Sequence, residues 1–211
     1  MTTSTSRLDT TDLEARVKSM YEQVATQPHQ GFHFETGRGL AERLGYPPAD
    51  LDRIPAAAID SFAGVGYFLD LATPAEGETV LDLGSGSGMD SFLAALAVGQ
   101  AGTVIGVDMT PAQLGKARAL AAGWDNVTFR EGYIEQPPVQ DGTCDCVMML
   151  LGVLSALQVT SAAWPARRGQ RRRVAGNGYC LRSLATSVRT SYFATDSLRW
   201  FVTSVSQRTS P

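Results

Sequence analysis

The order of apolar and polar positions divides this chain into a helical preface and a segment of alternating strands and helices. In the preface, Leu13, Val17, Met20, Tyr21 and Val24 recur three and four residues apart, which places them on one face of a helix over residues 12–26. Thr11-Asp12-Leu13-Glu14 has the capping-box pattern, in which a hydroxyl and a carboxylate satisfy N–H groups of the first turn. Pro28 and Gly31 stop this helix. A short helix around Arg38–Leu44 ends at Gly45, with Pro47 and Pro48 as stop signals beyond it. Pro55 opens a further turn, on which Ile59 and Phe62 share a face.

From residue 79 the pattern changes. Thr79–Leu83, Thr103–Val107, Asn126–Phe129 and Asp145–Leu151 have the composition of short strands, the last a continuous apolar run of the kind buried on both faces. Between them lie an apolar helix over Asp90–Val98 and a second helix that runs from Thr110-Pro111-Ala112-Gln113, another capping box, to Gly123. Such alternation predicts an α/β fold: a doubly wound, mostly parallel Rossmann-like sheet with an N-terminal helical extension. The expected organisation is a helical extension over 1–74, a core with the first four strands over 75–157, and a tail over 158–211.

With 211 residues, 44% of them apolar, the chain has enough material for one domain with a buried core and is too apolar to be disordered. No apolar run approaches the roughly 18 residues a membrane span needs, and MTTSTSRLDTTD has no apolar signal core. Three cysteines cannot close a disulfide framework, so a reducing cytoplasm is the expected setting, with no membrane partner. The net charge of −3 hides an asymmetry: residues 152–211 hold nine arginines, no lysine and a single acid, Asp196. The arginines at 167, 168 and 171–173 lack the interleaved aromatics of a single-strand binder, and no nucleic-acid partner is expected. His29 and His33 are four residues apart, but Pro28 and Gly31 break the helix and no third ligand is evident, so no metal is expected.

The candidate chemistry lies in Gly84-Ser85-Gly86-Ser87-Gly88, between a strand and a helix. Glycines there permit a tight turn and let a ligand approach backbone N–H groups at a positive helix end. Asp108 follows Gly88 by 20 residues, at the tip of the next strand, where a carboxylate accepts hydrogen bonds from ribose hydroxyls. The G-x-G-x-G spacing differs from the G-x-G-x-x-G of dinucleotide enzymes, which disfavours a nicotinamide-dependent oxidoreductase. Loop, strand and acidic partner together indicate a nucleoside-containing cofactor.

VLDLGSGSGMD, VIGVDMT and NVTFREGYIEQPP resemble, in order and spacing, the first three motifs of class I S-adenosylmethionine-dependent methyltransferases. More closely, they resemble the arsenite methyltransferase family, in which GVDMT followed by Gly-Tyr-Ile-Glu is typical. VKSMYEQVA and SFAGVG extend the resemblance over about residues 12–147. It implies S-adenosyl-L-methionine as cofactor and a small-molecule methyl acceptor. Gly84, Ser85 and Gly86 would line the methionine moiety, with Gly88 in the same loop and Asp82 just before it. Asp108 would hold the ribose, Met109 would pack on the adenine, and Ile134 with Glu135 would read the adenine edge. Tyr21 aligns with a tyrosine that closes over the sulfonium; packing on the apolar face of its helix would equally explain that residue. No catalytic residue is singled out, because an acceptor that is already nucleophilic needs mainly alignment and exclusion of water.

Two departures qualify the resemblance. The family's arsenic ligands are thiolates, which suit a soft centre, whereas this chain has only Cys144, Cys146 and Cys180. The first two fall beside the fourth strand, away from the family's ligand position, and are expected to be buried core thiols. The Pro-Gly-Gly turn that should follow the fourth strand is missing, and the Arg/Ser/Thr-rich text after it has the composition of a high-GC gene read out of frame. A divergent tail and an Arg-rich partner-binding segment stay open. With this tail the fourth strand is expected to be an apolar edge, Trp200–Thr203 is the best remaining strand, and a non-catalytic cofactor-binding remnant is the rival function.

Overall fold

The computed structural model describes residues 10–67 and 69–149, together with the strand backbone at 173–176 and 179–180. The preface forms α1 (Thr10–Thr26), α2 (Arg38–Arg43), α3 (Pro48–Leu51), α4 (Ala56–Asp60) and α5 (Leu69–Ala72). The core follows as β1 (Thr79–Leu83), α6 (Met89–Val98), β2 (Thr103–Asp108), α7 (Pro111–Leu120), β3 (Val127–Glu131) and β4 (Cys146–Met149). Two further strands are β5 (Arg173–Gly176) and β6 (Tyr179–Cys180). The sheet order is β3-β2-β1-β4-β5-β6, with every neighbouring pair parallel except β5 and β6. The α/β doubly wound sheet expected from the sequence is present.

Several local expectations change. Helix α1 starts at Thr10, so the first capping box lies inside the helix, and the Glu14 carboxylate engages Lys18 and Tyr133 instead of the helix start. Pro48, taken as a stop signal, occupies the first turn of α3, where its missing N–H costs nothing. Thr110 is the N-cap of α7 with Pro111 behind it, yet no side chain closes that cap, because Gln113 is drawn to Ser87 and to the Tyr21 carbonyl. The fourth strand is not an edge: Cys146–Met148 of β4 pair with Arg173–Ala175 of β5. The strand expected at Trp200–Thr203 lies outside the described residues.

One face of the sheet, with Val80, Val104, Phe129 and Met148, packs on Phe92, Leu93 and Leu114 of α6 and α7, and Tyr46, Leu51 and Ile59 of the preface join the same cluster. The other face presents Leu81, Leu83, Ile105, Val107 and Val147, joined by Ile134 and Met149. Preface elements from α2 onward thus share one apolar core with the strands, and α1 is joined to α7 through its Tyr21 and Ala25 carbonyls, which accept from Gln113 and Lys116. No helix among the described residues is long and apolar enough to cross a membrane.

Candidate functional site

β1 and β2 end side by side, with Leu83 opposite Val107. The chain then turns sharply, and the N–H groups of Gly84 and Ser85 both donate to the Val107 carbonyl, at 2.8 and 3.0 Å. Gly84 and Gly86 have φ of 79° and 53°, a region that residues with a Cβ rarely adopt. The turn sets the Asp108 carboxylate against the loop: Oδ2 accepts from Gly86 N–H at 2.9 Å and Oδ1 from Thr110 N–H at 2.8 Å. Each oxygen keeps a lone pair for a further donor.

These elements enclose a cavity of about 330 Å³ at the C-terminal ends of the strands, where open α/β sheets bind their ligands. Eight of the ten residues expected at the site line it. Gly84, Ser85 and Gly86 form its floor at β1, Asp108 and Met109 a wall at β2, and Ile134 and Glu135 a wall beyond β3; Tyr21 contributes from α1. Asp82 and Gly88 do not line it. Asp82 is 3% exposed, beneath the loop, and accepts a hydrogen bond from Ser91 Oγ at 2.6 Å. Gly88 is required by packing: its φ is 93°, and a Cβ there would stand 2.6 Å from Phe129 Cζ.

The structure adds residues that motif reasoning missed. Asp90 borders the cavity from the first turn of α6, and Phe62, Ala63 and Gly64 border it from the segment after α4. Asp90 closes the quoted run VLDLGSGSGMD and the second group lies within SFAGVG, so both were on view without an assigned role. Glu14 and Tyr133 meet at the rim, where Tyr133 OH donates to Glu14 Oε1 at 2.8 Å and Lys18 Nζ donates to the Tyr133 oxygen at 2.7 Å. No sequence signal linked these groups, which are 119 residues apart.

The electrostatics are anionic. Burial first, and then the neighbouring Asp90 charge, push the Asp82 carboxyl up to about 7 against the Ser91 hydrogen bond. Burial likewise raises Asp90, to about 6, against a hydrogen bond from Tyr46. Burial first, and then the Asp108 charge, raise the Tyr21 phenol. Ser85 Oγ is buried and has no hydrogen-bond partner among the described residues, a cost that a bound polar group would offset. Cys144 and Cys146 are buried in the two apolar clusters of the sheet and neither lines the cavity. Among the described residues, no three His, Cys, Asp or Glu converge as a metal site would require.

Residues 74–163 match the family model of a methyltransferase domain. An arsenite methyltransferase of Halobacterium salinarum is 48% identical over 116 residues, covering 54% of this chain and 29% of the relative. The aklanonic acid methyltransferase DauC of Streptomyces sp. strain C5 is 36% identical over 133 residues, covering 62% and 52%. Among solved structures, CrArsM, an arsenic (III) S-adenosylmethionine methyltransferase from Chlamydomonas reinhardtii, shares 34% identity over 55% of this chain and 40% of its own, at a TM-score of 0.39. The chain therefore spans less than a third of the length of the Halobacterium relative and about half of the Streptomyces one. Residues 74–163 of this chain are thus similar to a methyltransferase domain, and part of the chain is related in sequence to the arsenite methyltransferases.

Proposed function

We propose that the chain binds S-adenosyl-L-methionine in this cavity and directs its methyl group to a small, polarisable acceptor of the arsenite type. The observation that carries the proposal is the fixed Asp108 carboxylate at the lip of a glycine turn, facing a cavity that no Lys or Arg lines among the described residues. The cofactor fits the residues present. A sulfonium nucleoside is cationic and lacks phosphate, and here it meets Asp90, Asp108 and Glu135 together with the unpartnered Ser85 hydroxyl. Asp108 would accept from the ribose hydroxyls, Met109 and Ile134 would sandwich the base, and Glu135 would take its amino edge. Gly84–Gly86 would offer bare backbone to the methionine part.

When bound, the cofactor supplies an electrophilic methyl on sulfur. The chain's own contribution is alignment and exclusion of water. Val17 and Tyr21 of α1 and Phe62 after α4 cover the cavity with apolar surface, and positioning of this kind accounts for several kcal/mol of a transfer barrier. We place the reaction in the cytoplasm, where the buried thiols Cys144 and Cys146 remain reduced.

A second reading, a cofactor binder without turnover, is favoured by one observation: among the described residues no thiol reaches the cavity to hold trivalent arsenic. Incubating the full chain with methyl-labelled cofactor, arsenite and a small thiol distinguishes the two. Labelled methylarsenic species are the expected result. Cofactor binding with no transfer to arsenite leaves the second reading, and absence of both overturns both.

A further inference from the structure

The preface contributes a side chain that reaches the cavity only through another. Tyr46, at the end of the α2 turn, is 1% exposed, and its ring packs against Phe62 and Tyr67 at centroid distances of 5.2 and 4.6 Å. Its hydroxyl lies 2.7 Å from Asp90 Oδ1 and 3.1 Å from the Gly66 carbonyl. A phenol has one proton to donate, so it serves one of these acceptors at a time. With Asp90 ionised, Tyr46 donates to the carboxylate. With Asp90 protonated, the acid donates to the phenol oxygen and Tyr46 donates to Gly66. Both protonation states are therefore satisfied without moving a heavy atom. The acidic and phenolic groups that bear on the pair are Asp82 on β1, Asp108 at the end of β2, and Tyr46 and Tyr67 of the preface. Among the described residues no cationic side chain contributes to the charge balance of Asp82 and Asp90.

We propose that Tyr46 is a positioning residue that lets Asp90 exchange its proton for the ammonium group of the bound cofactor, so that cofactor binding expels a proton to solvent. The inference rests on the cofactor assigned above and adds a residue and a pH dependence to it. The buried Asp82 and the half-buried Asp90 repel each other with no cation beside them among the described residues; a ligand ammonium at Asp90 supplies the missing charge and displaces the Asp90 proton. Burial already holds both acids well above the ordinary aspartate range, which puts the exchange near neutrality.

The test is calorimetric titration of the full chain with S-adenosylhomocysteine, which keeps the ammonium group, from about pH 5.5 to about pH 8.5 in buffers of differing ionisation enthalpy. Expected is proton release near pH 6, and affinity that rises about fourfold over the range, the factor by which a group titrating near 6 is held protonated at the acid end. In Tyr46→Phe, the rise should move to higher pH by about one unit, with affinity near the parent's at the alkaline end. A purely structural role would instead weaken binding equally at every pH. Asp90→Asn, which removes the titrating group that faces the cavity, should remove the proton release near pH 6. Binding by the unsubstituted chain with no proton release, or a Tyr46→Phe profile parallel to the parent's, overturns the inference alone. No binding at any pH overturns the cofactor assignment with it.

Discussion

Asp108 shows how one carboxylate serves fold and ligand together. At a strand tip, an Asp would ordinarily be solvated and its removal nearly neutral for stability. Here it accepts from two backbone N–H groups, of Gly86 and Thr110, and so helps to hold the glycine turn and the start of α7. Asp108→Ala should weaken S-adenosylhomocysteine binding at least about tenfold, since hydrogen bonds to a charged group are worth roughly 1.5–3 kcal/mol each. It should also destabilise the free protein by about 1–3 kcal/mol, because two N–H groups lose their acceptor. Asp108→Asn should fall between, and denaturant titration beside calorimetry separates the two effects. Gly88 lies at the other extreme. With φ of 93° and Phe129 and Phe92 within 3.1 Å of an added Cβ, Gly88→Ala should cost about 2–4 kcal/mol in chemical denaturation. Asp82 affects stability through pH. An acid with a raised folded-state pKa keeps its proton in the fold after the unfolded chain has released it. Its stabilising contribution is therefore full below the ordinary aspartate range and is lost as pH rises to about 7. Asp82→Asn should be more stable than the parent near pH 8, with a smaller difference near pH 4; a melting series that shows the reverse order contradicts the burial of that charge.

At the level of elements, α1 is the piece that turns an open strand end into a cavity, and its anchorage is specific. Lys116 on α7 donates to the Ala25 carbonyl at 3.2 Å and to Ser61 Oγ at 2.6 Å, while Ser61 Oγ donates to the Val24 carbonyl at 3.1 Å. One half-buried ammonium thereby ties the last turn of α1 to α4 and α7. Lys116→Met keeps the apolar stem and removes those bonds, so stability should fall by about 1 kcal/mol, and amide exchange should quicken in α1 before it does in the strands. Equal exchange throughout would show that α1 is held by its apolar face alone. This anchorage was not legible in the sequence. The apolar spacing of α1 and the strand–helix alternation from residue 79 were, because a helix face and a buried strand write their period into the chain. The Lys116, Tyr46 and Tyr133 contacts join positions far apart in sequence and have no local signature. Gln113 shows why local rules fail at such places: its side chain matched a capping box, yet the loop residue Ser87 and the Tyr21 carbonyl hold it instead. The glycine turn and Asp108 were legible for the opposite reason, since a positive φ and a strand-end carboxylate restrict residue type directly.

For the molecule as a whole, the acidic strand ends and the shared core make ligand binding and folding one problem. The preface and the sheet bury Tyr46, Leu51, Phe92 and Val104 in one cluster, so the elements that carry the cavity fold as one body. A ligand that binds only the folded state should then raise stability by about 2.7 kcal/mol at a hundredfold excess over its Kd, which appears as a higher melting temperature. The central claim is that the cavity over β1 and β2 is a sulfonium-nucleoside site read by Asp108. Its most direct test is titration of the full chain with S-adenosylhomocysteine at neutral pH, beside a folded Asp108→Ala variant. Saturable binding of about one ligand per chain, weakened at least about tenfold in the variant, is the predicted result. No binding by the unsubstituted chain, or equal binding by the variant, contradicts the account.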